Sequence, residues 1–166
     1  MGASRDLLES SAVENDRQGR RAAMSGELTP GGLMSKAVRA CISARVLLDL
    51  GDVDGACNRA YYAMFDAARA ALLASGALVQ PNMIKTHGGL IAAFGLHLVK
   101  DGPISRELGR LLKRAEEIRW VADYTGDSVE LNDAREMVGQ AERFIEAMRT
   151  EFMPVEPKNG DEGMEK

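Results

Sequence analysis

Apolar residues recur at helical spacing along this chain from residue 33 to residue 152, and nowhere alternate with period two. The first stripe, Leu33, Ala37, Ala40, Cys41, Ala44, Leu47 and Leu48, predicts a helix over 33–50. Thr29-Pro30-Gly31-Gly32 reads as a breaker ahead of it, Gly51 as its C′ residue and Asp52 as the N-cap of the next helix. So short a junction predicts an antiparallel hairpin of the first two helices. The second helix ends near Ser75-Gly76, and 76–86 is a loop. Leu90, Ile91, Phe94 and Leu98 predict a third helix over 86–99, with Thr86 at its N-cap. Gly88, Gly89 and Gly95 weaken it and are expected to let it pack closely on the second helix. Beyond the Asp101-Gly102-Pro103 turn, Ile104, Leu108, Leu111, Leu112, Ala115, Ile118 and Ala122 predict a fourth helix over 104–123. Asp127 and Glu130 fit a capping box. Ala134, Met137, Val138, Ala141, Phe144, Ile145, Met148 and Phe152 then predict a fifth helix over 130–152, closed by Pro154. The expected fold class is all-α, an up-and-down antiparallel bundle of four to five helices.

Within the second helix, Asn58 to Ala74 (NRAYYAMFDAARAALLA) is apolar around most of its circumference and rich in alanine. Its polar side chains, Asn58, Arg59, Tyr62, Asp66 and Arg69, collapse onto an arc of about 100°. This helix therefore belongs at the centre of the bundle, and its polar arc is either a window to solvent or the floor of a groove. Tyr61 points toward the core and Tyr62 toward the arc.

Composition changes this picture little. At 166 residues, 45% hydrophobic and 28% charged, the chain is an ordinary single domain, expected over 30–153. Only 5% is aromatic, so alanine, leucine and methionine must fill the core. The net charge of −4 argues against a general phosphate-binding surface, although most of it resides in the last sixteen residues. Residues 1–29 and 154–166 are polar and read as disordered flanks, with Met24 an alternative start to Met1. Cys41 and Cys57 sit among apolar neighbours and read as small buried hydrophobes. Nothing has metal-ligand spacing, and no cofactor motif is present. No apolar run approaches the ~20 residues of a membrane span, and residues 1–26 lack the apolar segment of a secretory signal. A cytoplasmic protein is expected.

Arg119 breaks the pattern, for it falls inside the apolar arc of the fourth helix between Ala115 and Leu112. A charge there must be paired, and Asp123 at i+4 and Asp66 on the second helix are both candidates. It can lock two helices together or serve a site. His87 and His97 are the only histidines. His87 shares the stripe of the third helix and is read first as a packed residue, with a site role as the alternative. The Gly88-Gly89 pair at that helix start could receive an anion, a weak signal by itself.

Three segments in order, DVDGACNRAYYAMFDAARAALLASG, KTHGGLIAAFGLHLVKDG and ELGRLLKRAEEIRWVADY, resemble the HEPN family of small prokaryotic helical proteins. The resemblance spans about 33–152. It implies a helical bundle that forms a homodimer. It also implies pairing with a minimal nucleotidyltransferase, often as a toxin–antitoxin couple. In ribonuclease members the resemblance implies a metal-independent site built on Arg, four to six residues, then His, met across the dimer by RNA. Arg119 matches that arginine, whereas the positions for His hold Tyr124, Thr125 and Gly126. Tyrosine, with an ordinary pKa of ~10, is a poor substitute for an imidazole. On this reading Arg119, Tyr124 and His87 are the catalytic candidates, and Arg59, Tyr62, Asp66, Arg69 and Asp123 the candidates for nucleotide or RNA binding. Arg119 would contact phosphate, Asp123 would hold Arg119, and Tyr124 would be a possible acceptor of AMP from the partner. The competing expectation is a non-catalytic binding or scaffolding bundle whose polar arc is structural.

Overall fold

The computed structural model describes residues 28–154. Apart from Leu28, Thr29 and Pro154, the flanks expected to be disordered lie outside the described residues, and so does Met24. Five α-helices make up the rest: α1 (Pro30–Asp49), α2 (Val53–Ala74), α3 (His87–Phe94), α4 (Arg106–Tyr124) and α5 (Leu131–Phe152). A 3-10 turn at Met83–Lys85 precedes α3, and a π-helical turn at Gly95–Lys100 extends it. Among the described residues there is no strand.

The helix ends are set partly by local capping and partly by contacts from distant residues. Thr29-Pro30-Gly31-Gly32 starts α1 instead of breaking the chain. Thr29 Oγ1 accepts from Gly32 N, and Pro30 occupies a first-turn position, where its missing N–H costs nothing. At the other end Gly51 adopts φ +83°, a conformation only glycine reaches cheaply. The chain thereby reverses at once, and Asp52 caps α2 through Gly55 N at 2.9 Å. The capping box expected from Asp127 and Glu130 does not form. Glu130 stands at the N-cap of α5 with no side-chain cap bond, and Asp127 N donates to Thr125 Oγ1. The entry to α5 is instead held from α2: Asp54 accepts from Val129 N at 2.9 Å and from Ser128 Oγ at 3.1 Å. Gly89 also has a different role from the one expected. A Cβ there would meet Met83 O and Thr86 Oγ1, so the residue serves the cap of α3; at Gly88 and Gly95 a Cβ would meet nothing.

Helix α2 is the central element and packs on α1, α3, α4 and α5. Ala56, Ala60, Ala63, Ala67 and Ala70 have no exposed surface, and their small side chains let the neighbouring helices approach. Tyr61, Met64, Phe94, Phe144 and Met148 fill the remaining space, with the Phe94 and Phe144 rings 5.5 Å apart. The long helices alternate in direction: the C-terminal end of α4 meets the N-terminal end of α2 through Asp123 and Asn58. Helix α3 departs from strict alternation. Segment 75–86 returns alongside α2, so α3 begins beside Tyr61 and Phe65 and runs the same way as α2. Further along, Val99 lies at Gly109 of α4.

Candidate functional site

The polar arc of α2 divides into two groups. Toward its N-terminal end, Arg119 from α4 reaches across Tyr61. Its guanidinium carbon lies 5.0 Å from the Tyr61 ring centroid and 5.8 Å from that of Tyr124. Arg119 Nη1 donates to Asp123 Oδ2 at 3.2 Å, and Asn58 Nδ2 donates to the same carboxylate at 3.1 Å. Asp123 therefore ties α4 to α2 and steadies the arginine at once. Arg119 is only 5% exposed, and its Nε has no partner among the described residues. Burial works against its charge, but Tyr124, Tyr61, Tyr62 and Asp123 together outweigh burial, so it stays cationic.

His87, at the first position of α3, closes the same group. Its Nδ1 lies 2.6 Å from the Tyr61 hydroxyl, and its ring packs against Tyr61, Tyr62 and Phe65 at centroid distances of 5.2–6.2 Å. If Nδ1 carries the proton, Nε2 holds the free lone pair; if the hydroxyl donates, Nε2 carries the proton. Burial pushes the His87 pKa down, the Arg119 charge pushes it further, and Glu116 pulls it back. Burial likewise raises the Tyr61 pKa, so the hydroxyl remains protonated. The result is a neutral imidazole and a fixed guanidinium sharing one tyrosine. That pairing lets an oxyanion be met by charge while a proton moves at the imidazole.

The second group lies further along α2. Asp66 is 3% exposed and receives Arg69 Nη1 and Lys36 Nζ, each at 3.4 Å. It does not pair with Arg119, so of the two carboxylates considered for that arginine, Asp123 is the partner. Arg69 lies over Phe65 at 5.7 Å, on the ring that also packs against His87. Arg59 lies over Tyr62 at 5.5 Å. Of the residues singled out in the sequence, Arg119, Asp123, Tyr124, His87 and Tyr62 thus converge, Asp66 and Arg69 pair further along α2, and Arg59 covers Tyr62 between the two groups.

Three contributors were missed. Asn58 was placed on the polar arc but not in the site. Glu116 lies one turn before Arg119 on the same face, a spacing that could have flagged it. Trp120 is 55% exposed and packs at a tilt against Tyr124, itself 64% exposed, at 5.2 Å, an i, i+4 aromatic pair legible from spacing. Of the Gly88-Gly89 pair considered for an anion, the Gly89 N–H is already taken, since Thr86 Oγ1 accepts from it at 3.1 Å. His97 stands apart from both groups and lines a separate cleft with Leu78, Val79 and Met83. Among the described residues no cluster of three His, Cys, Asp or Glu side chains could hold a metal ion, and no helix is long and apolar enough to cross a membrane.

Comparison with known proteins gives these residues a context. The sequence profile of the HEPN domain matches residues 32–151. A protein of Methanocaldococcus jannaschii named "Putative toxin" is 35% identical over 107 residues, 64% of this chain and 76% of its own length. A UPF0332 protein of Gloeobacter violaceus is 37% identical over 116 residues, 69% of this chain and 88% of its own. Another, from Thermotoga maritima, is 35% identical over 113 residues, 66% and 81%.

Proposed function

The chain belongs to the HEPN domain family, and we propose that it is a toxin-like member that acts on RNA as a cytoplasmic homodimer under the control of a nucleotidyltransferase partner. The observation that carries this reading is the convergence of Arg119 and His87 on Tyr61. The archaeal relative with toxin in its name supports the biological setting. The position where the family's ribonucleases carry histidine holds Tyr124, so His87 from α3 supplies the imidazole in this reading. Neutral His87 takes the proton of a 2′-hydroxyl as its oxygen bonds to the adjacent phosphorus. The bond from phosphorus to the 5′-oxygen breaks, and the proton that His87 took passes on to the leaving oxygen, which returns the imidazole to its neutral form. Arg119, held by Asp123, offsets the charge that gathers on the phosphoryl oxygens. Tyr124, exposed next to Arg119, is the acceptor for AMP: its oxygen bonds to the α-phosphorus of ATP, pyrophosphate leaves, and the phenol proton goes to solvent. A mass spectrum of the chain co-expressed with such a partner should then show one AMP on the Tyr124 peptide.

One observation favours a second reading. Arg119 is enclosed to 5% exposure, paired with Asp123 on its own helix and laid over Tyr61 of α2, as a purely structural lock between α4 and α2 would be. The test is cleavage of total RNA by purified protein in EDTA, wild type against Arg119→Ala, with a melting curve for each. Cleavage lost in a variant that remains folded supports the ribonuclease. No cleavage by the wild type, with a lowered melting temperature for Arg119→Ala, supports the scaffold.

A further inference from the structure

A cleft of about 210 Å³ opens between α1 and α2, lined by Lys36, Arg39, Ala40 and Ser43 from one helix and by Arg59, Tyr62 and Asp66 from the other. The α1 residues follow i, i+3, i+4, i+7 and the α2 residues i, i+3, i+7, so two facing stripes of the hairpin build it. Ala40 leaves the space that a longer side chain would fill. Three cations meet one carboxylate here, on a chain whose net charge is −4. Asp66 is already shared between Lys36 and Arg69. Among the described residues, neither Arg39 nor Arg59 has a carboxylate partner. The Arg59 guanidinium rests on the Tyr62 ring, and Arg39 is exposed at the rim. The cleft therefore holds uncompensated positive charge, forked N–H donors and the Tyr62 hydroxyl, the donor set that fits a phosphate.

Tyr62 also connects the cleft to the other group. Its ring meets Tyr61 edge-on at 5.5 Å and lies 6.2 Å from His87, while Arg59 covers it from the cleft. One aromatic wall thus separates the cationic cleft from the Arg119–His87 pair. Single-stranded nucleic acid is recognised by such alternation of cations with aromatic faces. We infer that the α1–α2 cleft is a backbone-phosphate subsite for single-stranded RNA, with Lys36, Arg39 and Arg59 holding a phosphate next to the one at Arg119. The inference rests on the RNA reading above but not on cleavage. It adds Lys36 and Arg39, on a helix that contributes nothing to the Arg119 group.

The test is fluorescence anisotropy with a 2′-O-methylated single-stranded oligoribonucleotide, which cannot be cut by its own 2′-oxygen, over a series of salt concentrations. The double variant Lys36→Ala/Arg39→Ala changes exposed side chains and leaves Arg69 on Asp66, so it should stay folded with a modestly lower melting temperature. Its affinity should fall about tenfold, and its log–log salt slope should become shallower by roughly 0.7 for each phosphate that the variant no longer neutralises. Lys113→Ala/Arg114→Ala, on the far side of α4, should leave both unchanged. Equal losses in the two double variants, or wild-type affinity and slope in the first, would overturn the inference. So would a wild type that binds ATP through Lys36 and Arg39 but does not bind the oligonucleotide. Binding that depends on Lys36 and Arg39 in a protein that cleaves nothing would retain this subsite and sink the ribonuclease alone.

Discussion

The guanidinium of Arg119 lies 5.0 Å above the ring of Tyr61. That single relationship joins α4 to α2, and through the Tyr61 hydroxyl it brings α3 and its histidine to the same place. Because the arginine is charged and largely enclosed, its neighbours feel it strongly.

The first consequence concerns pH. His87 titrates below the ordinary imidazole value of ~6.5, from burial first and the Arg119 charge second. The unfolded chain therefore takes up this proton at a higher pH than the folded chain does. The stabilising contribution is full above the ordinary imidazole range and is lost as pH falls from there through the folded value. The melting temperature should drop on acidification through that window, and less so in His87→Gln. In an NMR titration, Arg119→Gln should move the His87 midpoint upward; an unmoved midpoint would show that the guanidinium does not act on it.

Asp123 links Arg119 and Asn58, so its removal strands both. Asp123→Ala and Arg119→Ala should each cost about 1–3 kcal/mol in denaturant unfolding. The double variant should cost clearly less than the two losses together, because each already breaks the same ion pair. Simple additivity would mean that the pair at 3.2 Å contributes nothing as a pair.

The alanines of α2 set how near the other helices come. Ala67 has no exposed surface. Ala67→Leu should therefore destabilise the bundle by about 1–3 kcal/mol through overpacking, although leucine is a good helix former. A neutral or stabilising result in the same unfolding measurement would show that the helices can separate without loss.

Both thiols are shielded. Burial is the main cause that pushes Cys41 up to about 11 and Cys57 up to about 12. At pH 8 neither should react with a thiol reagent while the chain is folded, and both should react once it is denatured. Fast labelling of the native protein at either position would contradict this burial.

Much of the fold was legible because helices announce themselves locally. The apolar stripes, the positive-φ glycine at 51 and the caps at Asp52 and Thr86 are all decided within a few residues. The misreadings came where a local signal had a distant competitor or a second meaning. Pro30 with two glycines looks like a break but starts a helix once Thr29 caps it. The Asp127–Glu130 spacing fits a capping box, yet Asp54, far away in sequence, takes the N–H of Val129.

The sequence by itself determined that this chain is a helical bundle, which faces are buried, that α2 lies at its centre and that Arg119 must find an anion. Those follow from the period of 3.6 residues and from the cost of burying an unpaired charge. Only the tertiary structure decided that the anion is Asp123 and not Asp66. It alone decided that His87 stands at Tyr61 and that Lys36 and Arg39 face Arg59 across a cleft. These pairings depend on how segment 75–86 returns along α2 and on the register of α1 against α2. Neither is written in the periodicity of any one helix.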